Sequence, residues 1–234
     1  MDLVDALRST GAVREFLPDP VPRDVLARVL DTARFAPSGG NRQAWRVVVV
    51  EDRQIRRRLR ELYLTDWYDY LAISAAGLTP WAPVTDRVAE AAAAAGASEL
   101  AAASAAGPGG FAEHIDEVPV LLVVLADLRR IAAVDRDLDR YTMAGGASIY
   151  PFLWSILLAA HAEGLGGVLT TMLIRAEGEV RAVLHAPPEL AVVGAVALGW
   201  PVSRATRLKR DPLSSFATVD RVDGEPFAAG QEQS

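Results

Sequence analysis

The sequence predicts a domain of the α+β or α/β class, in which helices pack on a central sheet. Helical patterns alternate along the chain with at least four short apolar runs rich in valine and leucine, which are typical of buried strands. Few hairpin turn signals separate these runs, so an all-β fold is not expected. With 234 residues, of which 51% are hydrophobic, the chain can bury a large core, and we interpret residues 1–234 as one domain.

The residue composition excludes several kinds of site. Because the chain has no cysteine, disulfides and thiolate chemistry are excluded, and a cytoplasmic location is expected. The net charge of −6 argues against a nucleic-acid partner, and no apolar run is long enough to predict a membrane span. No metal site is expected either, because the three histidines are far apart in the sequence. They are His114, His161 and His185.

The first half of the chain begins with two predicted helices, at residues 2–8 and 23–35. Val47–Val50 is predicted to be a buried strand, and Asp52 is expected to cap a third helix over residues 54–63. The third helix carries a run of arginines, which fits either an anion-binding patch or a solvated helix face, and we favour the second. These arginines are Arg56, Arg57, Arg58 and Arg60.

Residues 64–110 form the most variable-looking block of the sequence. They are rich in alanine and helical by propensity, but they contain no repeat and no motif. We interpret the block as a helical excursion on the surface or as a lid. Its aromatic side chains are candidates for the wall of a substrate pocket, although packing in the core explains them equally well. These side chains are Trp67, Tyr68, Tyr70 and Trp81.

Continuous apolar runs predict three further strands in the second half of the chain. The longest apolar helix is predicted over residues 147–163, and because it is apolar nearly all round it must be buried in the core or against another subunit. Ser148 would cap this helix with Pro151 in its first turn, or Pro151 would kink a longer helix. The strands are predicted at residues 119–127, 168–172 and 191–198, a last helix at residues 175–184, and a loose tail at residues 220–234.

A short polar loop separates the second helix from the first strand. Pro37 ends the helix, because proline cannot donate to the helical ladder. The loop that follows contains Ser38, Gly39, Asn41 and Gln43, which offer backbone N–H groups and side-chain amides to a ligand. A plain connection between a helix and a strand would have the same composition.

The whole string around this loop, A-P-S-G-G-N-R-Q-A-W-R-V-V-V-V, resembles a segment of the nitroreductase-like flavoprotein family, which binds FMN. Three other segments resemble that family in the same order. They are R-S-T-G-A-V-R-E-F at residues 8–16, G-L-G-G-V-L-T-T-M at residues 164–172, and the basic segment at residues 207–213. The long apolar helix before Gly164 also resembles the family's helix at the dimer interface.

The resemblance implies a set of FMN-binding residues. Arg14 would tune the flavin ring, and the loop after Pro37 would approach the FMN held mainly by the other subunit. Thr10, Gly11 and Ala12 stand where the family usually has Arg-Arg-Ser, so one phosphate cation is missing, and Thr10, its neighbouring amides or Arg8 would compensate. The implied cofactor-binding residues are Arg14, Ser38, Gly39, Asn41, Gln43, Leu169, Thr170, Thr171, Arg207 and Arg210.

The resemblance also implies an architecture and an activity. The fold would be α+β, with a mostly antiparallel sheet flanked by helices, in an intertwined homodimer with FMN at the subunit interface. NAD(P)H would reduce FMN, which would then reduce a flat acceptor such as a nitroaromatic or a quinone by ping-pong hydride transfer, with no catalytic side chain. Two alternatives stay open, namely an FMN-dependent dehydrogenase or oxidase of a specific metabolite, and a flavin-binding protein without enzyme activity.

Overall fold

A computed structural model describes residues 2–204 and 207–227 of the chain. Its centre is a sheet of four antiparallel strands, in the spatial order β1-β2-β4-β3. This sheet confirms the predicted α+β class with an antiparallel core. The strands are β1 (Trp45–Val50), β2 (Val120–Asp127), β3 (Gly166–Thr170) and β4 (Leu190–Gly199).

Helices cover both faces of the sheet. Helices α2 and α6 pack on one face, and α3 and α7 pack on the other. The helices are α1 (Leu3–Ser9), α2 (Arg23–Ala33), α3 (Arg53–Ala75), α4 (Arg87–Ala94), α5 (Ala97–Ala105), α6 (Tyr150–Ala162) and α7 (Glu177–Val183).

The central strand β2 explains why the sequence pattern was continuous rather than alternating. All eight of its residues are buried. Side chains of a strand alternate between the two faces of the sheet, so Leu122 and Val124 pack toward α2 and α6. Leu121 and Val123 pack toward α3 and α7 on the other face. A strand buried on both faces needs apolar residues along its length, and seven of the eight residues of β2 are apolar. The exception is Asp127 at its end, whose carboxylate accepts hydrogen bonds from Arg129.

Helix α3 is much longer than predicted and continues from Arg53 to Ala75. The prediction ended it at Tyr63, where the aromatic residues begin. The chain contains no proline or glycine between that point and Gly77, which adopts a φ of +78° just past the helix end. Ala72 and Ile73 are buried in the second half of the helix, so packing on the sheet stabilises the extension.

Arg56 departs from the prediction of a solvated basic face. Its guanidinium is half-buried and donates hydrogen bonds to the backbone oxygens of Val50, at 2.7 Å, and Val118, at 2.5 Å. Burial lowers the pKa of this guanidinium. Arg57 and Arg58 are exposed, as expected. Arg56 therefore holds the end of β1 and the start of β2 together from the helix above them.

The N-terminal region of α6 also differs from the prediction. A 3₁₀ turn covers Ala144–Ser148, and α6 begins only at Tyr150, with Pro151 in its first turn. Pro151 causes no kink, because the backbone N–H that proline lacks has no helical partner in the first turn. Ser148 does not cap the helix. Its Oγ instead accepts a hydrogen bond from the backbone N–H of Gly39, at 3.1 Å.

Within residues 2–204 and 207–227, no helix has the length and apolar character needed to cross a membrane. The variable block contributes α4 and α5, which pack on α3 and bury none of their own residues. At the C-terminus, Thr218 and Pro226 form an isolated β-bridge. The last part of the predicted tail, residues 228–234, lies outside the described residues.

Arg56→Ala should lower the free energy of unfolding by about 2 kcal/mol, because it removes the buried donor to the backbone oxygens of Val50, at the end of β1, and Val118, just before β2. Arg57→Ala is the matched control, since Arg57 is an exposed neighbour on the same helix. Urea denaturation followed by circular dichroism measures both variants. Equal stabilities for the two would show that Arg56 is no more than a surface residue.

Candidate active site

The candidate site lies at the outer edge of the sheet, where the N-terminal segment runs beside β3. The backbone N–H of Val13 donates to the oxygen of Gly167 at 2.9 Å. Further along, Leu17 donates to the oxygen of Trp200 at 2.8 Å. These hydrogen bonds hold the segment between α1 and α2 against the sheet and place Arg14 beside β3.

Glycine is required in β3 for this close approach. A Cβ added at Gly166 would lie 2.7 Å from a methyl group of Val13, and one added at Gly167 would clash with the side chain of Leu198. The sequence therefore places two adjacent glycines where the N-terminal segment and β4 both approach the strand.

Arg14 borders two cavities. We call the first the polar cavity. It has a volume of about 240 Å³ and lies between the segment Ser9–Glu15, the end of α6 and the start of β3. We call the second the aromatic cavity. It has a volume of about 580 Å³ and lies between α3, the loop after α5 and the residues from Val168 to Met172. One arginine thus faces a small polar space on one side and a larger aromatic one on the other.

The polar cavity contains several hydrogen-bonding side chains. His161, near the C-terminus of α6, has its Nε2 3.4 Å from the hydroxyl of Ser9. Arg204 lines the same cavity and donates to the backbone oxygen of Gly164. Burial, together with the charge of Arg204, lowers the pKa of His161, so at neutral pH this imidazole is uncharged in the absence of an anion. The cavity has the donors that an anionic group requires.

The aromatic cavity has a flat wall provided by α3. The rings of Trp67 and Tyr70 stack with their centroids 5.4 Å apart and an angle of 7° between their planes. Tyr63, on the same helix, hydrogen-bonds through its hydroxyl to that of Thr170 at 2.8 Å, and burial raises the pKa of Tyr63. The end of β3 and the aromatic side chains of α3 therefore line one cavity and are joined at this hydrogen bond.

We call the part of the aromatic cavity that is lined by Ser104 and residues 110–113 the roof, and the side chain of Glu113 holds it in place. Its carboxylate accepts hydrogen bonds from the hydroxyls of Ser104, at 2.7 Å, and Tyr68, at 3.0 Å, and from the backbone N–H of Gly110, at 2.7 Å. Burial would raise its pKa, but these donors lower it below the ordinary value. Tyr68 thus supports the roof through Glu113 and does not line the cavity, in contrast to Trp67 and Tyr70.

The loop after Pro37 lies outside both cavities of this protomer. The hydroxyl of Ser38 accepts from the backbone N–H of Gln43 at 3.0 Å, and the amide of Gln43 donates to that of Asn41 at 2.9 Å. Asn41 and Gln43 both have a positive φ, of 51° and 49°. Gly39 is held by Ser148. The loop is ordered by its own side chains and is exposed at the surface.

A buried carboxylate, which was not predicted from the sequence, holds the chain that leads to Ser148, the residue that contacts this loop. Asp135 accepts hydrogen bonds from the hydroxyl of Thr142 at 2.6 Å and from the backbone N–H of Met143 at 2.7 Å. These bonds, with that from Arg140, hold the pKa of Asp135 well below its usual range. They set the path of the chain into the turn that ends at Ser148. The only sequence signal was an acidic residue in a charged loop.

The predicted site residues therefore fall into three groups. Arg14 and the residues Leu169–Thr171 meet at the aromatic cavity. Ser38, Gly39, Asn41 and Gln43 form a separate surface loop. Arg207 and Arg210 are exposed in a segment that is tied to α1 by a hydrogen bond from the N–H of Leu208 to the oxygen of Arg8, at 3.1 Å, and neither lines a cavity of the site.

Two residues of the polar cavity, Arg204 and His161, were not predicted from the sequence. Arg204 lies just before the basic segment at residues 207–213, where the motif match drew attention to Arg207 and Arg210. His161 was considered as a metal ligand and set aside. No local pattern brings these two side chains together, because 43 positions separate them and only the packing of the fold makes them neighbours.

The fold is an α+β domain in which Arg14 borders both a polar cavity and an aromatic cavity. The chain belongs to the nitroreductase family, whose model matches residues 7–200. This confirms the family resemblance and, with it, the prediction of an oxidoreductase enzyme.

Two relatives illustrate the range of the family. A protein named NADH dehydrogenase from Thermus thermophilus is 29% identical over 241 residues, which cover 91% of this chain and 93% of that protein. A 5,6-dimethylbenzimidazole synthase from Rhodospirillum rubrum is 30% identical over 193 residues, which cover 81% of this chain and 77% of that protein.

A crystal structure of oxidised iodotyrosine deiodinase bound to FMN and 3-iodo-L-tyrosine has the same fold. It superposes with a TM-score of 0.61 at 23% sequence identity, and the match covers 90% of this chain and 96% of that chain. The likeness shows the fold alone. That structure is of a protein bound to FMN, and the name of the Thermus thermophilus relative mentions NADH. Both agree with the predicted cofactors, FMN and NAD(P)H.

Gly166→Ala should destabilise the fold by about 1–3 kcal/mol and displace the segment that carries Arg14, because the new methyl group would overlap Val13. Gly178→Ala is the control, since nothing lies within 4 Å of a Cβ at that position of α7 and alanine favours a helix. Thermal unfolding measures both. A Gly166 variant as stable as the control would mean that the segment is not packed closely on β3.

Proposed function

We propose that the protein is an FMN-dependent oxidoreductase that takes electrons from NAD(P)H and passes them to a flat small-molecule acceptor in a ping-pong cycle. Membership of the nitroreductase family supports the general activity. The observation that carries the proposal in this chain is the position of Arg14, between a polar cavity and an aromatic cavity at the edge of the sheet.

The residues present fit FMN. A flavin mononucleotide has a phosphate, a polar ribityl chain and a flat ring system, and these need cations, hydrogen-bond donors and a slot, respectively. The polar cavity contains Arg204 and His161, and the aromatic cavity is a slot beside β3. Gly166 and Gly167 border the polar cavity and Val168 to Thr170 border the aromatic cavity, so β3 runs alongside both spaces.

Arg14 would hold the cofactor and adjust its chemistry. A guanidinium is charged at every accessible pH, and near the ring it stabilises the negative charge that reduction creates. The backbone of Leu169, Thr170 and Thr171 would face the flavin ring from β3. When bound, FMN supplies the hydride chemistry itself, so no side-chain acid or base is assigned here.

The acceptor would enter the same aromatic cavity and lie against the flavin ring. The stacked rings of Trp67 and Tyr70 offer a flat surface to a small aromatic compound in that position. A nitroaromatic compound or a quinone has the required shape. The rings of α3 would exclude water from the ring face on which hydride transfer occurs.

We further propose that the protein is a homodimer in which the Ser38–Gln43 loop of one subunit completes the site of the other. The loop is ordered but lies outside both cavities of its own protomer. Near it, an apolar groove between α1, α2 and α6 is flanked by exposed side chains, among them Leu3, at 67% exposure, and Phe35, at 75%. A second copy of this chain would cover that apolar surface.

A second candidate function is oxidation or remodelling of one specific metabolite. The roof of the aromatic cavity, held by Glu113, favours it, because an ordered roof with a carboxylate selects its ligand more narrowly than an open slot. The relative named 5,6-dimethylbenzimidazole synthase shows that the family includes proteins named for a defined product. A flavin-binding protein without enzyme activity is the remaining alternative.

Purified protein supplied with FMN should absorb at roughly 370 and 450 nm and lose the second band on anaerobic addition of NADH or NADPH. Arg14→Gln should slow this bleaching about 100-fold, because the ring loses its cation, whereas Arg14→Lys should keep most of the rate. Bands that persist with both nicotinamides would contradict the reductase function. Reduction by a metabolite instead, with reoxidation by oxygen, would favour the second candidate.

Phe35→Glu should turn a dimer into a monomer, because it places a charge in the apolar surface proposed to be covered. Val88→Glu is the matched control, since Val88 is 81% exposed on α4, away from that groove. Light scattering coupled to size-exclusion chromatography measures the mass of each variant. A wild-type monomer, or a Phe35 variant that stays dimeric, would contradict the proposed interface.

A further inference from the structure

The polar cavity is lined differently from what the family resemblance implied. Thr10, Gly11 and Ala12 occupy the positions where the resemblance called for two arginines and a serine. All three line the cavity, and the hydroxyl of Thr10 is buried and donates to the oxygen of Ala6 at 2.8 Å, inside α1. Thr10 therefore stabilises the end of α1, and its hydroxyl proton is not available to a ligand.

Two basic side chains from other segments reach the same cavity. Arg204 enters from the segment after β4, and His161 enters from α6. The hydroxyl of Ser9 lies 3.4 Å from His161, and Ser203 also lines the space. Among the lining residues, Glu15 is the one carboxylate, and it is exposed. The donors come from three separate segments and converge on one cavity of about 240 Å³.

The polar cavity and the aromatic cavity lie at successive positions along β3. Gly166 and Gly167 border the polar cavity, and the residues from Val168 onward border the aromatic cavity. Gly166 and Thr170 lie about 13 Å apart along the strand, since a strand rises about 3.3 Å per residue. Arg14 borders both spaces. One extended ligand can therefore place its flat end in the aromatic cavity and its charged end in the polar cavity.

We propose that Arg204 and His161 bind a phosphate monoester in the polar cavity, in place of the arginine pair that the chain lacks. The inference rests on the proposed function, in which this group is the phosphate of FMN. The guanidinium of Arg204 supplies a permanent charge with several N–H donors, and the imidazole of His161 becomes a charged donor when a dianion is beside it. Ser203 supplies a further hydroxyl donor, whereas the hydroxyl of Ser9 already donates to the backbone oxygen of Asp5 at 2.7 Å.

The surroundings of His161 agree with this role. Burial and the charge of Arg204 lower the pKa of the imidazole while the cavity holds no anion. Arg14, Glu15 and Arg204 are the charged side chains that line the cavity with it. A bound dianion would attract the charge of Arg204 and would stabilise the protonated imidazole of His161, so it would offset both effects that keep the imidazole neutral. Arg204 and His161 can therefore both contact one dianion.

The test compares two ligands that differ only in the phosphate. Apoprotein is titrated with FMN and with riboflavin, and binding is followed by quenching of flavin fluorescence. Arg204→Gln and His161→Gln should each weaken FMN binding about 10- to 100-fold, the value of one charge-assisted hydrogen bond. Riboflavin binding should be unchanged in both. Arg204→Lys should keep most of the preference for FMN, and Arg57→Gln, an exposed arginine on α3, should behave as wild type.

The outcomes separate this inference from the proposed function. If wild type binds FMN and both glutamine variants bind it equally well, Arg204 and His161 do not hold the phosphate, while the flavin function stands. If the variants lose riboflavin as much as FMN, they act on the fold or on the ring site, and the inference is overturned. If wild type binds neither flavin, the proposed function fails and the inference fails with it.

Discussion

The candidate site depends on one close contact, in which the N-terminal segment lies against β3 at two glycines. The hydrogen bond from Val13 to Gly167 places the segment, and the missing side chains at positions 166 and 167 make room for it and for Leu198. Arg14 follows Val13 directly, so its guanidinium is positioned by backbone rather than by its own packing. This contact therefore places Arg14 where it borders both the polar cavity and the aromatic cavity.

Much of the fold could be predicted because apolar patterns follow burial. The uninterrupted run in β2 predicted a strand covered on both faces, and α2 and α6 on one side and α3 and α7 on the other provide that cover. Local signals were weaker where the structure depends on distant partners. No sequence feature near Arg56 indicates that its guanidinium donates hydrogen bonds to backbone oxygens of β1 and of the chain entering β2. The length of α3 was missed because aromatic residues were taken as a change of structure.

The site was predictable to the extent that its parts lie within single segments. Arg14 and the residues of β3 were found from local motifs, and the structure brings them to one cavity. Arg204 and His161 come from segments far apart in the sequence, so only the folded chain shows that they are neighbours. The Ser38–Gln43 loop was recognised by its composition, but a single protomer does not bring it to either cavity.

The hydrogen bonds of Glu113 connect the roof of the aromatic cavity to α3. One carboxylate joins α3, α5 and the loop between them and the sheet, while α4 and α5 bury no residue of their own. Helices α4 and α5, which have little buried surface, therefore open at a lower free energy than the sheet. Ala112 and Ile115, beside Glu113, are buried in the core and anchor the rest of the roof. Substitutions in α4 and α5 can accordingly alter which molecules enter, with little cost to the stability of the domain.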